Sequence, residues 1–130
     1  MLDTNICIYL IKQQPREVAK RFAQCHHGDI VISTITLAEL NAGVEKSNNR
    51  TEAKQALDGL LQDLVVMPFD ESAAAEFGVK RLQAPDRRKN AMDRLIASHA
   101  AAQRCILVTN NVDDFKCYSD LTIENWVSPE

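Results

Sequence analysis

No stretch of this 130-residue sequence approaches the ~20 consecutive apolar residues that a membrane span requires. No secretory leader fits the start, because Asp3 interrupts it before an apolar region can build up. Charge of one sign is missing too. Fifteen basic residues face 18 acidic ones, a net charge of -3, which excludes a globally basic nucleic-acid binder but not a local basic patch. The four cysteines, Cys7, Cys25, Cys105 and Cys117, form no C-x-x-C pair, so zinc knuckles and thioredoxin-like chemistry have no support. Their scatter suits small core residues in a reducing compartment. The sequence also lacks G-x-S-x-G, a P-loop, G-x-G-x-x-G and H-E-x-x-H. What remains has the length of one domain, residues 1–130. A chain of this size buries about two-thirds of its unfolded surface, enough for a core without staples. The expectation is a cytoplasmic protein with no membrane association.

Short apolar runs alternate with amphipathic stretches. Met1-Leu2 read as a strand stub ending at Asp3, which fits an edge strand or a chain that begins earlier. Residues 5–12 are apolar almost all round and read as a short buried helix. Part of residues 6–11 is expected under the sheet and part under another chain. Pro15 suits the first turn of a second helix, with Val18, Phe22 and Cys25 on one stripe. Residues 30–32 form a strand, and Thr36 opens a helix to about Lys46. Ala53, Ala56, Leu57, Leu60, Leu61 and Leu64 make the clearest helical stripe. Residues 65–67 form a strand closed by Pro68, and Asp70 caps a helix that Pro85 ends. A charged loop, 86–89, leads into a helix over 90–104 with Met92, Leu95, Ile96, His99 and Ala100 as its apolar side. Residues 105–108 and 121–123 read as further strands, and 112–115 as a helical turn. Strands alternating with helices predict an α/β fold with a mostly parallel sheet.

In such sheets, ligands bind beyond the carboxyl ends of the strands. Polar groups expected there are Asp3-Thr4-Asn5, Thr36 with Glu39, Thr109-Asn110-Asn111, and Asp113-Asp114. Asp93 lies in the first turn of a helix, with Ile96, Ala97 and Ala100 as its neighbours one and two turns on. Acids gathered at one edge repel one another, and a divalent cation relieves this. Oxygen donors without His or Cys suit Mg²⁺ or Mn²⁺ rather than zinc. Each acid also has a structural reading. Asp3 can cap the following helix. Glu39 completes a capping box with Thr36, with Ile35 and Leu40 as its hydrophobic staple. Asn90 to Asp93 can be another cap, and Asp113-Asp114 a solvated turn. His26-His27 read as a surface pair and His99 as a satisfied core histidine. Between Lys80 and Arg94 stand six basic residues (Lys80, Arg81, Arg87, Arg88, Lys89, Arg94) against Asp86 and Asp93. That segment is a solvated helix end, or a phosphate-contacting rim beside Asp93.

Four segments together carry a resemblance: M-L-D-T-N at 1–5, S-T-I-T-L-A-E-L at 33–40, M-D-R-L-I-A-S-H-A at 92–100 and V-T-N-N-V-D-D-F at 108–115. In this order and at these separations the chain resembles the PIN-domain ribonuclease toxins of the VapC type. The resemblance implies a three-layer sandwich with a mostly parallel central sheet flanked by helices. It implies a Mg²⁺-dependent endoribonuclease, with Mn²⁺ able to substitute, acting on RNA and on transfer RNA in particular. By motif, Asp3, Glu39 and Asp93 match the recurrent acids. Asp3 and Asp93 would hold the metal directly. The fourth site acid falls on Asp114, because Asn111 stands where many members have an aspartate. Asn5, Thr109 and Asn111 are supporting polar groups, and Arg87, Arg88 and Lys89 are the RNA-binding candidates. The resemblance further implies a homodimer, a VapB-type antitoxin as inhibitor, and operator DNA bound only through that antitoxin. Two other readings stand beside it. One is a PIN-fold module that binds RNA or a partner without cutting, favoured by Asn111. The other is a phosphoacceptor receiver, which lacks its paired acids and lysine here.

Overall fold

Residues 1–3 run between two pairs of parallel strands and join them. A computed structural model describes residues 1–84 and 91–127. The expected helix stop at Pro85, the loop 86–89 and the cap at Asn90 lie outside the described residues. Strand β1 (Val31–Ser33) pairs in parallel with β2 (Val65–Met67), and β3 (Leu107–Val108) with β4 (Ile123–Glu124). The Leu2 amide donates to the Val31 carbonyl at 3.0 Å, and the Asp3 amide to the Val108 carbonyl at 3.0 Å. The order is therefore β2-β1-(1–3)-β3-β4, with a parallel bridge between Leu2 and Val108. The stub expected at an edge is central, which is why Leu2 is fully buried.

Successive strand residues point to opposite faces, and this alternation sorts the core into two. Leu2, Ile32 and Val108 enter one apolar cluster, with residues of helices α1 (Thr4–Lys12), α2 (Arg16–Ala23) and α4 (Arg50–Leu61). Met1, Val31 and Leu107 enter the other, with α6 (Ala91–Gln103) and α7 (Val112–Phe115). Helix α5 (Glu71–Gln83) packs on α6, and α3 (Thr34–Lys46) sends Leu40 to the first cluster and Ile35 to the second. The result is helices on both faces of a parallel sheet, as the alternating pattern predicts. Among the described residues no helix is long and apolar enough to cross a membrane.

Most helices begin where their capping residues place them. Asp70 accepts from the Ala73 amide at the start of α5, and Asn49 from the Glu52 amide at the start of α4. Pro15 lies just outside α2, as its N-cap, rather than within the first turn. Helix α3 departs from expectation. It starts at Thr34, with Ser33 as the cap, its hydroxyl accepting from the Ile35 amide at 3.0 Å. The capping box of Thr36 with Glu39 therefore does not form, and Ile35 and Leu40 part to opposite faces instead of stapling. Two strands are shorter than expected because their first residues close turns. The Cys105 amide bonds the Ala100 carbonyl at the end of α6, and the Leu121 amide bonds the Tyr118 carbonyl. The apolar side of α6 also shifts. Met92 is 40% exposed while Arg94 is 3% exposed, its guanidinium 5.8 Å from the Phe77 ring.

His99 is buried as expected, but only half satisfied. Nδ1 lies 2.8 Å from the Ser33 hydroxyl, and Nε2 makes no well-formed hydrogen bond among the described residues. Burial pushes its pKa down, which favours the neutral ring. Ser33→Ala removes both a helix cap and this hydrogen bond. The expected loss is about 2 kcal/mol, combining a cap with a stranded buried nitrogen. Urea unfolding measures it, and a loss below about 0.5 kcal/mol would show that neither bond contributes.

Candidate active site

Asp3 ends the central segment, and the local sequence then turns into α1. Its Oδ1 accepts from the Ile6 amide at 3.0 Å, which caps the helix. Its Oδ2 accepts from the hydroxyl of Thr109, the first residue beyond β3. The capping role and the site position thus coincide in one carboxylate. Burial pushes the Asp3 carboxyl up, opposed by the hydrogen bonds from Thr109 and Ile6, while the Glu39 charge raises it further.

Glu39 lies one turn into α3 and is half-buried. Its Oε1 accepts from the Thr4 hydroxyl, so the side chain turns toward Asp3 rather than back to its own helix terminus. Asp93 sits in the first turn of α6. Its carboxyl is pushed up to about 6, first by burial, then by the charges of Asp114, Asp3 and Glu39. That shift reports the convergence. Asp93 feels the charges of three acids from three other elements, and no lysine or arginine among the described residues pairs with these acids.

Asp113 and Asp114 separate clearly. Both are exposed, but Asp113 pairs with Lys116 at 2.6 Å, whereas the charge of Asp114 raises Asp93. Asn111 donates its amide to the Thr109 hydroxyl at 2.9 Å, so it supports the group that holds Asp3. Asn5 is exposed on the first turn of α1. Arg87, Arg88 and Lys89 lie outside the described residues. Of the other basic residues expected at a phosphate rim, Lys80 and Arg94 are buried, which removes them from it. His26 is exposed; the side chain of His27 lies outside the described residues. Thr4 carries a role that sequence reasoning missed. The only signal was its place in the polar run after the strand stub.

The donor set is oxygen throughout. Among the described residues no three carboxylates, histidines or cysteines close on one point as a cage. Mg²⁺ needs no such cage, since it keeps several waters and binds through one or two carboxylates. Two of these carboxylates, with waters completing the shell, would fit that mode.

A second concavity, of about 580 Å³, lies between α1, α2 and α4, with Leu10, Ile11, Phe22, Ala56, Gly59 and Leu60 among its lining residues. It accounts for the half-buried Leu10 and Ile11 on the apolar first helix, whose Ile6 and Cys7 are fully covered.

Comparison with known proteins identifies the family and the fold. The PIN domain family model matches residues 1–120. The tRNA(fMet)-specific endonuclease VapC of Shigella flexneri is 38% identical over 128 residues, covering 97% of this chain and 96% of the relative. Ribonuclease VapC2 of Haemophilus influenzae is 38% identical over 129 residues, covering 98% and 97%. Among solved structures, VapBC2 of Rickettsia felis bound to a promoter DNA fragment superposes with a TM-score of 0.84 at 35% identity, covering 97% of both chains. DNA-bound VapBC of Salmonella typhimurium gives 0.85 at 34%, covering 97% and 96%. With its acids gathered at the carboxyl edge of a parallel sheet and a match along its length, the chain belongs to the PIN-domain family, among the VapC ribonuclease toxins.

Proposed function

We propose that this chain is a metal-dependent endoribonuclease that cuts transfer RNA and is held inactive by a VapB-type antitoxin. The observation that carries the reading is the placement of Asp3, Glu39, Asp93 and Asp114 around the end of the central segment, where Thr109 holds Asp3, Thr4 holds Glu39 and the charges of the other acids raise Asp93. Asp3 and Asp93 would hold Mg²⁺ or Mn²⁺. Bound there, the ion would supply charge for the scissile phosphate and would lower the pKa of water. Glu39 and Asp114 orient the attacking water. Thr109 fixes Asp3, and Asn111 fixes Thr109. Arg87, Arg88 and Lys89 precede α6 in sequence and would contact the RNA backbone beside Asp93, each neutralised phosphate releasing a counterion. Transfer RNA as substrate follows from the name of the Shigella relative. Solved relatives are VapBC complexes on DNA, which supports an antitoxin that carries operator contacts. The concavity between α1, α2 and α4 is the surface we assign to that antitoxin. Residues 1–130 would act as one domain, as a homodimer, in the cytoplasm.

The test incubates pure protein with transfer RNA in Mg²⁺ or EDTA. Cleavage in Mg²⁺ alone supports the nuclease, whereas binding without cleavage supports a module that does not cut. Glu39→Gln separates chemistry from packing, because the capping role has no basis in the structure. Cleavage should fall roughly tenfold to a hundredfold, the loss seen when groups around a metal site are changed. The melting temperature should hold, and wild-type cleavage in this variant would remove Glu39 from the site.

A further inference from the structure

We propose that Thr4 is a positioning residue, whose hydroxyl holds the Glu39 carboxylate in the site; this rests on the nuclease reading above. Thr4 is the first residue of α1 and directly follows Asp3. The backbone there is held on both sides, by the Asp3 amide on the Val108 carbonyl and by the Ile6 amide on Asp3 Oδ1. From this fixed point the Thr4 hydroxyl reaches across to α3 and donates to Glu39 Oε1, a contact 35 residues apart in sequence.

Three physical features give that bond a directing role. Within a helix, a threonine hydroxyl can turn back to the carbonyl four residues earlier. At the first helical position the preceding backbone is extended, so the hydroxyl is available for another helix. Glu39 is flexible, half-buried and repelled by its neighbours. Its charge raises both Asp3 and Asp93, so swinging into solvent would relieve repulsion. Among the described residues Thr4 supplies the hydrogen bond to this carboxylate. It occupies Oε1 and leaves Oε2 for water. Asp3 is secured in the same way by Thr109. Two threonine hydroxyls, one next in the chain to Asp3 and one just beyond β3, thus hold the two acids.

The test compares Thr4→Val, which keeps the shape and loses the hydroxyl, with Thr4→Ser, which keeps the hydroxyl. Single-turnover cleavage of transfer RNA is measured with each, alone and combined with Glu39→Gln. RNA affinity and melting temperature are taken in EDTA. Thr4→Val should slow cleavage about tenfold with unchanged RNA affinity and melting temperature, a loss typical of groups that orient a metal site's ligands. Thr4→Ser should restore the rate, and the Thr4→Val effect should vanish in the Glu39→Gln background. Wild-type cleavage by Thr4→Val, or an equal loss with and without Glu39, would overturn the inference while leaving the nuclease reading in place. A fall in melting temperature without a fall in rate would also overturn it, making the bond a tie between α1 and α3. Full activity of Glu39→Gln would instead overturn the role of Glu39 itself, and the inference with it.

Discussion

Asp93→Asn should lose more than about 100-fold in RNA cleavage if Asp93 holds the metal directly, as proposed, since a direct ligand matters more than the groups around it. In EDTA at pH 7 the same variant should be more stable than the wild type. Folding raises this carboxyl from 3.8 to about 6, so the folded state binds a proton more readily than the unfolded chain. Stability from this group therefore falls as pH rises between about 4 and 6. Below pH 4 both states are protonated and the penalty is gone; above 6 it is fully developed. Asparagine carries no charge and escapes it. Asp93 is only partly buried, so the gain is discounted for solvent screening to about 1 kcal/mol. Urea titrations at pH 4 and 7 check this, and the advantage should be present at 7 and absent at 4. Mg²⁺ should then stabilise the wild type more than the variant, because a ligand that binds only the folded state raises its stability. A variant that is less stable at pH 7 and still cuts RNA would show that Asp93 is a helix-capping residue.

Lys80→Ala should be the most damaging change to stability, costing about 3 kcal/mol or roughly 10 °C of melting temperature. The Lys80 side chain is 0% exposed. Its Nζ lies 2.8 Å from both oxygens of Asp120 and 3.3 Å from Glu76, and 5.9 Å from the Tyr118 ring. Alanine removes the buried stem and leaves two carboxylates near one another without their cation. The full cost of breaking a buried pair is higher, but Asp120 is 47% exposed and water recovers part of it. Lys80→Met keeps most of the packing and should cost less than alanine. Thermal unfolding in EDTA ranks the three proteins. An alanine variant within about 1 kcal/mol of wild type would show that the pairs contribute no more than surface ion pairs do.

Several features of this protein were set by local sequence alone. Asp70 caps α5 and Asn49 caps α4 because a side-chain oxygen and an amide three residues later meet inside one turn. The stripe from Ala53 to Leu61 marks α4 as a helix, of which Leu57 and Leu60 are buried, as is Leu64 just beyond its end. Asp3, Glu39 and Asp93 could be nominated as site candidates because their order and spacing resemble a family pattern. Tertiary structure decided what depends on residues far apart. The Met1-Leu2 stub is central because its hydrogen-bonding edges meet Val31 and Val108. Ser33, not Thr36, starts α3. Its hydroxyl serves an amide of its own helix and also meets His99, 66 residues away. Lys80 looks like surface charge in a basic run, yet it is buried because Asp120, 40 residues on, returns to meet it. Thr4 has no role within its own helix and takes one only when α3 brings Glu39 alongside. Periodicity and capping act over one turn of chain, so sequence determines them. Which polar group finds its partner is a matter of distance in space, and packing the two helical layers on the sheet set those distances.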